Sequence, residues 1–350
     1  MDNASNCNTT ATEAAVLLPH FRGALSHAQC CPHICSLIAK IFISFFFKQY
    51  KRKKTVTVTA GTKRKRNQGC TATALVAEQD ERTVLEEGDI LSPEDDELAQ
   101  VLEEEDSQLE DDGQAIHDQR IVKTLRERAI NEMARKGVVI SDRDAKEALG
   151  IFPKVAGLSK RVHDSPGTLG EKFKITIQLD DQLTGEKTTL DHRVPTRWNS
   201  DFYCLEAHIY FKVAVQALTS TAVNNLKAFR LMENQWALAE RLATVLPIFD
   251  GPTKVFSHAD LSLIPDVVPM LEDLEVALGR IRDAVHLPPV IRVAAHAALL
   301  LSNKYYALTD EYEAYRISIV MCLDKKLDYF VKCGWSPEDV EDAKKLVIKR

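Results

Sequence analysis

Apolar residues recur at helical spacing through most of residues 113–350. The same period runs through segments 116–136, 199–218, 233–249, 263–285, 290–308, 310–323 and 336–348. In the first of these, Ile121, Leu125, Ile130 and Met133 lie near helical spacing. Gly137 follows as a natural helix stop, and Ser141 and Ser336 each precede an acidic residue three positions later, as is typical of helix starts. The pattern predicts an all-α bundle.

Two segments depart from this pattern. Residues 173–179 alternate between apolar and polar and are followed by a glycine-containing turn at 180–185, which predicts a β-hairpin. Residues 55–115 combine a basic cluster, an acidic run and few aromatic residues, so they cannot bury enough apolar surface to fold alone. They are predicted to be a disordered linker that contains an acidic helix at residues 94–105.

The composition is that of a soluble globular chain. Of 350 residues, 45% are hydrophobic and 27% charged, which excludes collagenous and fully disordered classes. The longest apolar run, residues 34–47, contains Lys40 and is shorter than the roughly 20 residues that a membrane helix needs. Because its basic cluster follows the apolar run, it does not resemble a signal peptide either. No membrane partner is expected.

The eight cysteines are scattered and lack the spacing of a disulfide framework, which favours reduced thiols in a cytosolic or nuclear protein. Cys30, Cys31, His33 and Cys35 could form half of a zinc site. A closed zinc site has four ligands and usually a second pair at matching spacing, and no such pair is visible. Zinc binding is therefore the weaker interpretation.

The net charge of −6 conceals two opposite segments. Residues 78–112 hold 17 acidic residues against the single Arg82. The basic cluster before them comprises Lys51, Arg52, Lys53, Lys54, Lys63, Arg64, Lys65 and Arg66. It can be a bipartite nuclear signal, a set of phosphate contacts or a solvated basic loop. Nuclear localisation and weak, salt-dependent, non-specific binding of nucleic acid are the expectations, with cytoplasmic localisation as the alternative.

A series of short phrases resembles one known family. The phrases are Val-Pro-Thr-Arg-Trp-Asn-Ser at 194–200, Glu-Asn-Gln-Trp at 233–236, Phe-Asp-Gly-Pro-Thr-Lys at 249–254, Ala-Ala-His at 294–296, Asn-Lys-Tyr-Tyr at 303–306, Lys-Leu-Asp-Tyr-Phe at 326–330 and Gly-Trp at 334–335. In this order they resemble the hAT superfamily of transposases, the hobo and Activator type, in the style of fungal elements. The first phrase is the most specific.

The resemblance extends to the first residues of the chain. Asp2, in Asp-Asn-Ala-Ser-Asn, resembles the second catalytic aspartate motif, and Cys30 with His33 resembles the Cys-x-x-His phrase. It implies that residues 1–54 are a partial RNase H-like α/β remnant of the catalytic core. It also implies that residues 55–115 are a variable, disordered linker, and that residues 116–350 are an all-helical insertion domain truncated at its C-terminus.

The resemblance also assigns roles to individual residues. Asp2 becomes a vestigial Mg²⁺ or Mn²⁺ ligand and His33 a vestigial catalytic residue, while Cys30, Arg197 and Trp198 become DNA contacts. For each there is a structural alternative. Asp2 would be a solvated carboxylate, Cys30 a buried thiol and His33 a capping or core histidine. Trp198 would pack into the helical core and Arg197 would form an ion pair.

The expected activity follows from the count of catalytic acids. Two-metal strand cleavage and transfer need several converging carboxylates, and only Asp2 lies in a recognisable catalytic motif. The chain is expected to be an inactive hAT relic without a cofactor, whose ancestor used Mg²⁺ or Mn²⁺ to cut DNA. The apolar run 34–47 would then be an exposed surface available for self-association. The alternatives are a repurposed protein-interaction or DNA-associated helical module, and a fragment of a complete transposase.

Overall fold

The structure is a computed structural model. It describes residues 5–18, 23, 30–48, 92–106, 113–180, 183, 185, 187–257 and 263–349. Within these ranges the chain is mainly helical and contains no strand. The prediction of a predominantly helical protein is confirmed.

The described ranges contain a series of α-helices. They are α1 Ser5–Leu17, α2 Cys31–Ile43, α3 Pro93–Asp106, α4 Gly113–Arg135, α5 Asp142–Leu149, α6 Ile151–Asp164, α7 Glu171–Gln178, α8 Trp198–Tyr210, α9 Lys212–Ser220, α10 Glu233–Val245, α11 Pro247–Phe256, α12 Val267–Asp283, α13 Pro289–Glu311, α14 Glu313–Met321, α15 Lys326–Lys332 and α16 Pro337–Lys349. Single turns lie at Pro166–Gly170, Ala222–Asn224, Lys227–Phe229 and Ile264–Asp266.

The predicted helix signals are present in the structure. The Ser141 hydroxyl accepts the backbone N–H of Asp144 at 3.1 Å and caps α5. The Ser336 hydroxyl accepts the backbone N–H of Asp339 at the start of α16, also at 3.1 Å. Gly137, just past α4, has a φ of +81°, the left-handed conformation that ends many helices. These boundaries are therefore encoded locally.

The β-hairpin predicted at residues 173–179 is wrong, because this segment forms α7. Phe173 and Ile177 are four residues apart, so a helix places them on one face; Phe173 is buried and Ile177 half-buried. The Phe173 ring packs edge-on against Phe211, the residue between α8 and α9, with 5.3 Å between the ring centroids. Ile175, the middle residue of the alternation, points to solvent. Part of the predicted turn, residues 181, 182 and 184, lies outside the described residues.

The apolar run 34–47 lies in the core, which corrects the expectation of an exposed surface. Most of the run belongs to α2, which packs against α4, α8, α11 and α13. Ile38, Ile41 and Phe42 are fully buried, and the Phe42 ring lies 5.4 Å from that of Phe249 in α11. Because four helices surround α2, the apolar residues of the run are buried on several sides of the helix.

The described residues of segment 1–54 include α1 and α2 and show no strand. The RNase H-like remnant there, and the domain limits near residues 54 and 115, stay predictions. The acidic helix predicted at residues 94–105 is confirmed as α3, which packs on α6 and the Lys227–Phe229 turn. Among the described helices, none is both long and apolar enough to span a membrane.

Candidate functional site

The phrase at residues 194–200 forms a closed turn that leads into α8. The Ser200 hydroxyl accepts the backbone N–H of Val194 at 2.8 Å and lies 2.6 Å from the carbonyl oxygen of Arg197. The backbone N–H of Arg197 donates to the Val194 carbonyl at 2.8 Å. One serine side chain thus joins both ends of the turn and orients the first residues of α8.

Trp198 points from this turn into the core. Its side chain is 2% exposed, and its indole Nε1 donates to the Thr253 hydroxyl at 3.1 Å. The ring packs edge-on against Phe249 at 6.0 Å and stacks on Phe202 at 6.4 Å. In this conformation the indole has no free face for a nucleic-acid base, so its position agrees with the packing alternative. The DNA contact stays a prediction.

Arg197 and Trp198 point in different directions. Arg197 is exposed at the N-terminus of α8 and forms no ion pair with the described residues. The ion pair expected for it belongs instead to Arg193. The Arg193 Nε donates to Asp201 Oδ1 at 2.9 Å, and the two side chains are only 8% and 9% exposed.

The Arg193–Asp201 pair is the site feature that sequence reasoning missed. The Arg193 guanidinium also lies 4.6 Å above the ring of Phe47, just past α2. The pair therefore ties the start of α8 to the end of α2. A signal was present, because opposite charges flank the phrase 194–200 at positions 193 and 201.

Cys30 and His33 lie at the other end of α2. His33 Nε2 is 3.4 Å from Asp118 Oδ2 of α4, and both side chains are largely buried. Cys30 is half-buried just before the helix. His33 is nine residues, or about 14 Å along the helix axis, from Phe42. The Phe42 ring packs against Phe249, the residue that Trp198 also contacts. The structure thus does not bring His33 and Trp198 together at one point.

The remaining predicted site residues lie outside the described part of the chain. They are Asp2, Lys51, Arg52, Lys53, Lys54, Lys63, Arg64, Lys65 and Arg66. Within the described ranges, no group of three or more histidine, cysteine, aspartate or glutamate side chains is placed to hold a metal ion.

Side chains from the later phrases, residues 294–296, 303–306 and 326–330, form hydrogen bonds between helices. His296 Nε2 lies 2.8 Å from Glu132 Oε2, which links α13 to α4. The Glu272 carboxylate of α12 accepts the hydroxyl of Tyr306 at 3.0 Å and that of Tyr329 on its other oxygen. One carboxylate therefore connects α12, α13 and α15.

A buried histidine lies one turn beyond Cys204 in α8. His208 Nδ1 is 2.9 Å from the Cys204 carbonyl oxygen, so Nδ1 carries the proton and donates it. Nε2 has no hydrogen-bond partner in the described structure. Burial lowers the pKa of His208 to about 4, because a charged ring would be desolvated.

We predict that the stability of the fold decreases as the pH is lowered from 7 to 5, because of His208. The unfolded ring binds a proton near pH 6.5 and the folded ring only near pH 4, so the unfolded state binds more protons between these values. The free energy of unfolding should fall by about 2 kcal/mol from pH 7 to pH 5. Denaturant titrations of wild type and His208→Gln measure this, and the variant should show a flatter dependence. His286→Gln, at an exposed histidine, is the control and should keep the pH dependence of wild type. If His208→Gln also keeps it, a group other than His208 causes the loss of stability at low pH.

No protein-family model, curated protein or solved structure matches this chain. The resemblance to the hAT superfamily therefore rests on the ordered phrases alone.

Proposed function

We propose that this chain is a catalytically inactive protein derived from a hAT-type transposase, with its helices serving as a non-catalytic scaffold. The observation that carries the proposal is the position of Trp198, the most distinctive residue of the most specific phrase, within the core. Ser200, His296, Tyr306 and Tyr329, from the same set of phrases, also make contacts between structural elements. Such residues would be retained for folding in the absence of any reaction.

The ancestral reaction is metal-dependent cleavage and transfer of DNA strands. Divalent ions in two-metal sites lie about 3.5–4 Å apart, where they activate water and stabilise the leaving oxygen. Several carboxylates hold these ions in place. The resemblance assigns one such acid, Asp2, to this chain. A single carboxylate does not replace enough of the hydration shell of two hard cations. Mg²⁺ or Mn²⁺ is thus proposed for the ancestor and no cofactor for this chain.

We predict that the purified chain neither nicks nor joins DNA that carries terminal inverted repeats found beside its gene, with Mg²⁺ or Mn²⁺ present. Gel analysis of end-labelled DNA measures both reactions. A mock purification and an Asp2→Ala variant are the controls. Metal-dependent cleavage that is absent from both controls would overturn the inactive assignment and show that further acids come from another chain.

The basic cluster at residues 51–66 is proposed to direct the protein to the nucleus and to contact nucleic-acid phosphates without sequence preference. Its charge supports this, because binding by counterion release depends on the number of cations. A second candidate function, binding of a protein partner by the helices, is favoured by the way α3 lies on the surface of α6.

A further inference from the structure

Helix α3 lies in a groove between α6 and the Lys227–Phe229 turn. Leu98 and Leu102 of α3 are buried in this groove. Gly157 of α6 makes the close approach possible: a Cβ there would be 2.7 Å from the Phe229 ring and 3.3 Å from the Leu98 side chain. The floor of the groove is therefore apolar and shaped to accept a helix.

The rim of the groove is basic and faces the acidic first half of α3. The pairs are Glu94 with Lys227 at 2.9 Å, Asp95 with Lys48 at 3.4 Å, and Glu97 with Arg161 at 2.9 Å. The three cations come from the segment after α2, from α6 and from the 227–229 turn. They converge only in the folded chain, and each meets a carboxylate of α3.

The groove is held in shape by contacts that do not involve α3. The Lys154 ammonium of α6 donates to the Arg230 carbonyl at 2.9 Å and to the Gln235 side-chain oxygen at 3.0 Å. The Gln235 amide nitrogen donates in turn to the Glu147 carbonyl of α5 at 2.8 Å. These bonds fix the turn against α6, so the groove should persist when α3 leaves.

Helix α3, in contrast, depends on the groove. Its last turn is acidic and has no basic residue, which opposes the helix dipole. At 14 residues it is short for a stable isolated helix in water. The cations of its ion pairs are 40% to 84% exposed, so each pair contributes little and is screened by salt. Without its apolar contacts in the groove, α3 would thus be only marginally stable as a helix.

We propose that this groove is a binding site for an acidic amphipathic helix of a protein partner, and that α3 is its built-in occupant. The partner helix carries carboxylates in its first turn and apolar residues at the spacing of Leu98, Val101 and Leu102, the i, i+3, i+4 pattern of helices that bind in grooves. A nucleic acid satisfies the basic rim and leaves the apolar floor without a partner. This proposal rests on the second candidate function, partner binding, and not on the transposase ancestry.

The test uses the full chain and a fluorescent peptide with the sequence of residues 92–106. In wild type the tethered α3 competes at a high effective concentration, so the peptide should bind poorly. The variant Leu98→Ala with Leu102→Ala should release α3 and bind the peptide at least tenfold more tightly, measured by fluorescence anisotropy. Gln100→Ala, on the exposed face of α3, is the matched control and should behave as wild type.

A charge exchange separates groove binding from misfolding. Adding Arg161→Glu to the double-leucine variant should weaken binding of the peptide by about two- to fivefold at low salt, and a peptide carrying Glu97→Lys should restore binding. Failure of the peptide to bind a folded double-leucine variant, with circular dichroism as the check on folding, would overturn the proposal. So would an oligonucleotide that occupies the groove and excludes the peptide.

A milder variant serves if the double-leucine chain does not fold. Glu94→Gln, Asp95→Asn and Glu97→Gln weaken only the rim contacts of α3 and keep its apolar face. This triple variant should also bind the wild-type peptide more tightly than wild type does, and no gain would contradict the proposal. The DNA-cleavage assay does not depend on these binding results. The proposal of an inactive transposase-derived protein and the proposal of a helix-binding groove can therefore be contradicted separately.

Discussion

Replacement of Trp198 by alanine is expected to lower the free energy of unfolding by roughly 3 to 5 kcal/mol, the usual cost of emptying a large buried aromatic site. The indole joins α8 to α11 through Phe249 and through its hydrogen bond to Thr253. Its loss leaves a cavity between these helices and removes the indole donor from the Thr253 hydroxyl, which keeps its own bond to the Phe249 carbonyl oxygen. Denaturant titration with circular dichroism detection measures the change.

Arg197→Ala is the neighbouring control, because the Arg197 side chain is exposed and its hydrogen bonds in the turn come from the backbone. It should shift stability by less than about 0.5 kcal/mol. Trp198→Phe should fall between the two, since it keeps part of the packing and loses the bond to Thr253. If Trp198→Ala leaves the midpoint of unfolding unchanged, the indole is exposed in solution and the DNA-stacking interpretation gains support.

Breaking the Arg193–Asp201 pair is expected to be about as damaging. Arg193→Met leaves the Asp201 carboxylate buried without its cation and also removes the guanidinium from the Phe47 ring. Loss of one partner of a buried pair typically costs about 3 to 5 kcal/mol. The variant should unfold at correspondingly lower denaturant concentration.

The double variant Arg193→Met with Asp201→Leu separates charge from packing. It should recover most of the lost stability, because two apolar side chains of similar volume leave no buried charge. Arg143→Met is the control at a surface pair, where the arginine side chain is 75% exposed and faces Glu147 one turn away. It should leave the midpoint of unfolding nearly unchanged. A double variant as unstable as Arg193→Met would mean that the loss of stability comes from the changed side-chain shape and not from the buried charge.

The helices could be predicted because their signals lie within a few residues. Ser141 and Gly137 act on backbone groups at most four residues away, and the apolar period of α4 needs one turn of helix to be recognised. The acidic helix α3 was predicted for the same reason. The β-hairpin prediction for residues 173–179 is wrong because, in so short a run, apolar residues at i and i+4 fit both an alternating and a helical pattern. Contact of Phe173 with Phe211 decides between them.

Burial and pairing depend on residues far apart in the chain, and no local pattern contains them. The run 34–47 reads as an unpartnered apolar surface until α11 and α13, more than 200 residues later, cover it. Trp198 reads equally well as a base-stacking or a packing residue until Phe249 and Thr253 occupy its ring and its nitrogen. Local hydrogen bonds and helical periodicity thus set where helices begin and end. Desolvation by distant helices decides which apolar, aromatic and charged side chains are removed from solvent, because it acts only once the chain has folded.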